Sequence, residues 1–120
     1  MRIEREYLHT KYANADERLK EAMDFIHDNF TKGDFSIEDL AQLCNMSGTY
    51  FRKLFMNKFN TSPRAYINKL KLNYALELLN SGYYTISEVS DKCGFKNIYY
   101  FSSFIKKETG LSPLKLRNIQ

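Results

Sequence analysis

Residues Ile37–Pro63 read IEDLAQLCNMSGTYFRKLFMNKFNTSP, and residues Ile86–Pro113 read ISEVSDKCGFKNIYYFSSFIKKETGLSP. The second stretch restates the first. Ile37, Leu40 and Cys44 meet Ile86, Val89 and Cys93 at an offset of 49. Phe51, Leu54 and Ser62–Pro63 meet Phe101, Phe104 and Ser112–Pro113 at an offset of 50, with one residue inserted between Phe95 and Phe101. Each copy predicts a short helix, a tight turn, a longer helix and a Ser-Pro helix start. A period near 50 is unlike the ~34- and ~33-residue helical repeats, and two copies fall short of the roughly three that a solenoid needs.

The turn between the helices defines the unit. A helix-turn-helix crosses two helices at ~90–120° through a turn of about 3–4 residues. Close crossing wants a small residue on the first helix, and the turn wants positive φ four residues later. Ala41 is followed by Asn45, and Ser90 by Gly94. Asn and Gly take the left-handed conformation most cheaply. Leu40, Cys44, Met46, Phe51 and Leu54 lock the first corner. Val89, Cys93, Phe95, Phe101 and Phe104 lock the second.

Outside the repeat the pattern stays helical. Asn14 and Glu17 stand at capping-box spacing. Leu19, Ala22, Met23, Ile26 and Phe30 then follow at steps of three and four, up to a stop at Lys32–Gly33. Ser36 with Asp39, Ser47, Thr85 with Glu88, and Asn97 are further starts. Pro63 and Pro113 suit the first helical position. Gly82, Gly94 and Gly110 are stops. The chain has one Val and five Gly, which argues against sheets and hairpins. Leu, Ile, Val and Phe make up about a quarter of it, enough for a core. The expected fold is all-α: seven helices, with two helix-turn-helix subdomains joined by a long connecting helix. Residues 1–13 read as a linker or N-terminal extension, 14–62 as the first subdomain, 63–81 as the connecting helix and 82–120 as the second.

Charge narrows the function. The net charge is +4. Residues 1–45 carry 6 basic and 10 acidic side chains, and residues 46–120 carry 12 and 4. A basic part suggests a polyanion partner. In a helix-turn-helix the second helix enters the major groove of DNA. Here those helices are about Ser47–Phe59 and Asn97–Thr109. On the first, Phe51, Leu54 and Phe55 point inward, leaving Gly48, Thr49, Arg52, Lys53 and Met56 outward. Arg and Lys pair with guanine O6 and N7, and a Thr methyl touches a thymine methyl. On the second, Lys96, Asn97, Tyr99, Ser102, Ser103 and Lys106 lie outward. That face has no Arg, so weaker base reading is expected there. Tyr50 and Tyr100 flank the buried Phe residues and are expected to pack. Lys58, Arg64, Lys69, Lys71, Lys106 and Lys107 are phosphate candidates. A connecting helix over Pro63–Asn80 would be ~27 Å long. Successive major-groove segments lie ~34 Å apart, so one chain could carry two unlike heads to an asymmetric site.

These residues resemble the DNA-binding domain of the AraC/XylS family of bacterial transcription regulators, from about Asp16 to Arg117. The most specific stretch is Val89–Pro113: Gly-Phe, a few polar residues, Tyr-Phe, an aromatic three residues on, Lys-Lys-x-x-Gly and Ser-Pro. The resemblance implies promoter binding, usually activation, and contact with RNA polymerase. By position it puts DNA contacts on Thr49, Arg52 and Lys53, and on Tyr99, Ser102 and Ser103. It also implies a longer protein with an N-terminal sensing or receiver domain, of which Met1–Tyr12 could be the tail, although some members are stand-alone chains. Three departures stand out: Lys71 for the usual Arg, Leu116 for Tyr, and Phe59–Asn60 for Thr-Gly.

Two rival classes remain. An enzyme lacks support, because His9 and His27 sit in no motif and Cys44 and Cys93 read as small corner residues. No catalytic group, metal or cofactor is expected. A helical protein-interaction module without DNA readout is the alternative. The longest apolar run, Ile98–Phe101, is far short of the ~20 residues of a membrane span. Two Cys and no secretory signal make a reduced, cytoplasmic setting the default.

Overall fold

The computed structural model describes residues 16–33 and 35–119. Among them are seven α-helices, one 3-10 turn and no strand. The helices are α1 Lys20–Asn29, α2 Ile37–Leu43, α3 Gly48–Phe59, α4 Pro63–Ser81, α5 Ile86–Lys92, α6 Ile98–Thr109 and α7 Pro113–Ile119. They fall into two compact units. Residues 16–29 and 35–67 form one, and residues 30–33 and 68–119 the other. By packing, the first turn of α4 goes with the first unit and the rest of the helix with the second.

In the first unit the start is made by Asp16. Its carboxylate accepts from the Arg18 N–H at 2.9 Å and opens the 3-10 turn Glu17–Leu19 that leads into α1. The expected cap Asn14 and the 1–13 extension lie outside the described residues. Helix α1 ends at Asn29, earlier than the Lys32–Gly33 stop the sequence suggested. Its apolar stripe buries Leu19, Ala22, Met23 and Ile26. Ser36 and Asp39 form a reciprocal capping box on α2, which satisfies two otherwise orphaned amides. Ser47 caps α3, and Asn60 ends it in the left-handed conformation at φ 57°. Phe51 and Phe55 are fully buried. The Phe59 ring lies tilted 4.7 Å from Phe55 and Tyr66 closes on both rings, so aromatic packing occupies the end of α3. His27 is buried here too, with Nε2 2.7 Å from the Tyr66 hydroxyl. Desolvation pushes the Tyr66 hydroxyl up to about 12.

The second unit repeats the plan. Thr85 and Glu88 make the capping box of α5. Asn97 caps α6 by accepting from the amides of Tyr99 and Tyr100. Gly110 closes α6 in the left-handed region. Ala75, Leu78 and Leu79 from α4 pack with Val89, Cys93, Phe101 and Ile105, and Leu116 of α7 seals one side. Thus Leu116 works as a packing residue. Arg117 binds the Tyr84 carbonyl through Nη2 and ties α7 to the turn before α5.

Both corners end in the same hydrogen-bond pattern. Met46 N–H donates to the Ala41 carbonyl and Asn45 N–H to Gln42, each at 3.0 Å. Phe95 N–H donates to Ser90 at 3.1 Å and Gly94 N–H to Asp91 at 3.0 Å. These paired bonds are a Schellman motif, which needs a left-handed residue after the helix. Asn45 at φ 56° and Gly94 at φ 84° supply it. Ala41 and Ser90, the small residues at the crossings, are each 1% exposed. The segment Thr31–Gly33 runs against the second turn so closely that a Cβ on Gly94 would strike the Thr31 carbonyl.

Candidate nucleic-acid interface

Each unit buries one face of its second helix and turns the other to solvent. In α3, burial of Phe51, Leu54 and Phe55 leaves Thr49, Arg52, Lys53 and Met56 exposed, as the periodicity required. Arg52 does not project alone. Its Nη2 donates to Glu38 Oε2 on α2 at 2.6 Å. The Arg52 hydrogen bond holds the Glu38 carboxyl below the usual carboxylate range. Gly48 leaves the room for this pair. A Cβ there would sit 2.9 Å from Arg52 Nη1 and 3.0 Å from Glu38 Oε2.

The flank of α3 holds a second polar group that sequence reasoning missed. Tyr50 is exposed rather than packed, and its hydroxyl accepts from Arg18 Nη1 at 2.8 Å. Arg18 is anchored in turn by Asp16, whose carboxyl is lowered chiefly by that bond. Lys58 approaches the same carboxylate at 4.0 Å. Tyr50 precedes Phe51 by a 100° helical step, which carries its ring to the rim of the buried face. No local sequence pattern foretells the Arg18–Tyr50 or Glu38–Arg52 contacts, because each joins different elements.

In α6, Phe101 and Ile105 are fully buried. Lys96, Asn97, Tyr99, Ser103 and Lys106 are exposed, with Tyr99 at 80%. Ser102 is half-buried, because it follows Phe101 at the edge of the inward face. Asn97 spends its carbonyl oxygen on the helix cap, so its amide NH2 faces outward work alone. Tyr100 is 63% exposed, against the expectation of packing. Of the phosphate candidates, Lys58, Arg64, Lys69, Lys106 and Lys107 are exposed. Lys71 is different: it is half-buried with Nζ 5.5 Å from the centre of the Phe95 ring. Its charge is thus partly used within the second unit.

Cys93 is fully buried and Cys44 half-buried, both as free thiols. Among the described residues no three metal-ligating side chains come together, and no helix is long and apolar enough to cross a membrane.

Comparison with known proteins agrees with this geometry. The helix-turn-helix domain family matches residues 40–119. The raffinose operon transcriptional regulatory protein RafR of Pediococcus pentosaceus is 30% identical over 81% of this chain and 35% of its own. The chain therefore spans about a third of the length of the curated relatives it matches. The C-terminal domain of AraT, a response regulator from Geobacillus stearothermophilus, superposes with a TM-score of 0.81 at 26% identity, covering 88% of each chain. A Chromobacterium violaceum transcriptional regulator described as having an AraC-type DNA-binding domain gives 0.72 at 27%, covering 88% of this chain and 94% of that one. This chain belongs to the AraC/XylS family of helix-turn-helix domains.

Proposed function

We propose that this chain binds double-stranded promoter DNA sequence-specifically, as the DNA-binding part of a bacterial, cytoplasmic transcription regulator. One observation carries the reading. Two units of the same plan each hold a second helix by buried aromatics and expose a polar, lysine-bearing outer face. A side chain on such a helix reaches base edges in the major groove. On α3 we assign Thr49, Arg52 and Lys53 to the bases. On α6 and the two residues before it we assign Lys96, Asn97, Tyr99, Ser102, Ser103 and Lys106 to bases or the adjoining backbone. The α3 half should be the more selective. Arg makes a bidentate contact with guanine worth ~1–3 kcal/mol of discrimination, whereas a hydroxyl is tolerant. Two unlike helices call for a site that is not an inverted repeat, with its halves in successive major-groove segments. The family resemblance adds activation as the direction of control. It also adds RNA polymerase as a partner, and an N-terminal sensing or receiver domain in the whole regulator.

The test starts from random duplex DNA selected by the purified chain. Binding is then measured to the selected site mutated at every base pair. Arg52→Ala should relax preference in one half only. A selected site that is an inverted repeat, or loss of preference spread equally over both halves, would refute a two-headed reader. Failure to enrich any sequence would favour a protein-interaction module.

A further inference from the structure

The strongest unassigned feature is the carboxylate beside the candidate base-reading arginine. Acidic groups are poor company for DNA phosphates, yet Glu38 reaches from α2 to the outer face of α3. It meets Arg52 at 2.6 Å, across the first turn of α3. Both side chains are about half exposed or more, so the pair adds little to folding stability. Its effect is on geometry. Arg carries many rotamers, and freezing them on DNA costs entropy that a preset side chain avoids. A guanidinium has five N–H donors. Glu38 engages Nη2, which leaves donors on Nη1 and Nε for a base.

Two further facts fit this role. The carboxylate lies at the N-terminal end of α3, where a helix attracts negative charge. Gly48, the first residue of α3, is the only side-chain-free position in that turn. Any Cβ there would crowd both Arg52 Nη1 and Glu38 Oε2. Its φ lies outside the left-handed region, so the backbone itself does not call for glycine. The space is what the glycine provides.

Building on the assignment of Arg52 to a base, we infer that Glu38 is the positioning residue for Arg52 and that Gly48 is the gap that lets it act. The acid thereby sharpens sequence preference at one base pair while weakening attraction to DNA of any sequence.

The experiment uses the whole chain and its selected duplex mutated at every base pair. Three variants are compared with the parent: Glu38→Gln, Gly48→Ala and Arg52→Ala. Folding is checked by circular dichroism; Ala at an ordinary helical position favours the helix. A bidentate Arg contact discriminates by roughly 5- to 150-fold. Glu38→Gln and Gly48→Ala should each reduce that ratio by about three- to tenfold, at the base pair where Arg52→Ala removes it. Glu38→Gln should also tighten binding to unrelated duplex DNA, since one negative charge is gone. A misfolded variant cannot lose preference at one base pair while gaining general affinity. If Arg52→Ala changes one base pair but neither other variant touches it, the positioning role is overturned and the base-reading assignment stands. If Arg52→Ala changes no base pair, both are overturned.

Discussion

Replacing Gly94 by Ala tests the second corner most directly. Gly94 sits at φ 84°, where an L-residue pays about 1–2 kcal/mol. Its Cβ would also meet the carbonyl of Thr31, and these are backbone atoms that cannot rotate aside. Forcing extra volume into a packed place costs ~1–3 kcal/mol. The two contributions together come to about 2–5 kcal/mol. Gly110 is the control. It has φ 83°, and nothing lies within 4 Å of its Cβ position. Gly110→Ala therefore pays only the conformational cost. Urea unfolding followed by far-ultraviolet circular dichroism should place Gly94→Ala lower than Gly110→Ala by ~1–3 kcal/mol. The melting temperature should fall by roughly 4 °C for each kcal/mol. Equal losses in the two variants would show that Thr31 does not press on the turn.

Other consequences can be checked as readily. Phe51 and Phe101 are fully buried at equivalent places, so Ala at either should cost ~3–5 kcal/mol; a parent-like melt for either would refute the packing. DNA affinity should fall with added salt, with a log–log slope of roughly −0.9 per phosphate neutralised, and exposed Lys107, if it meets only phosphate, should account for about one unit of it. A slope near zero would refute the DNA reading. Burial pushes the Cys93 thiol up to about 12 while Cys44 is half-buried. A disulfide reagent should label Cys44 in the folded chain and Cys93 only on unfolding, and equal rates would contradict the buried position.

The local signals in this chain were strong where one residue does one job. Ser36–Asp39 and Thr85–Glu88 announce capping boxes, and both form. Asn45 and Gly94 announce left-handed positions, and both take them. The inward faces of α3 and α6 followed from helical periodicity for the same reason. Rim positions were harder. Tyr50 and Tyr100 are large and partly apolar, so pattern alone assigned them to packing, yet one helical step from Phe51 and Phe101 leaves them outside. Contacts between elements were not legible. Glu38 and Arg52 lie 14 residues apart, and the meeting depends on the crossing at Ala41 and on the missing side chain of Gly48. Lys71 looks like a phosphate candidate in the sequence, but its use against Phe95 depends on how α4 packs in the second unit.

The segment that passes over Gly94 also bears on the order in which the chain assembles. Residues 30–33 belong with residues 68–119, although α2 and α3 intervene. During synthesis this segment emerges about 60 residues before the turn it covers, and domains generally fold from the N-terminus as they appear. The last residue assigned to the first unit, Ile67, is made while the segment still waits for its contact. Its closure is a long loop, whose entropic cost grows only slowly with length but is met before any contact repays it. The two copies of the repeat are for this reason no longer interchangeable. The turn at Gly94 is lined by chain laid down much earlier. A transplant of α5 and α6 alone into another protein would leave this side of the turn uncovered.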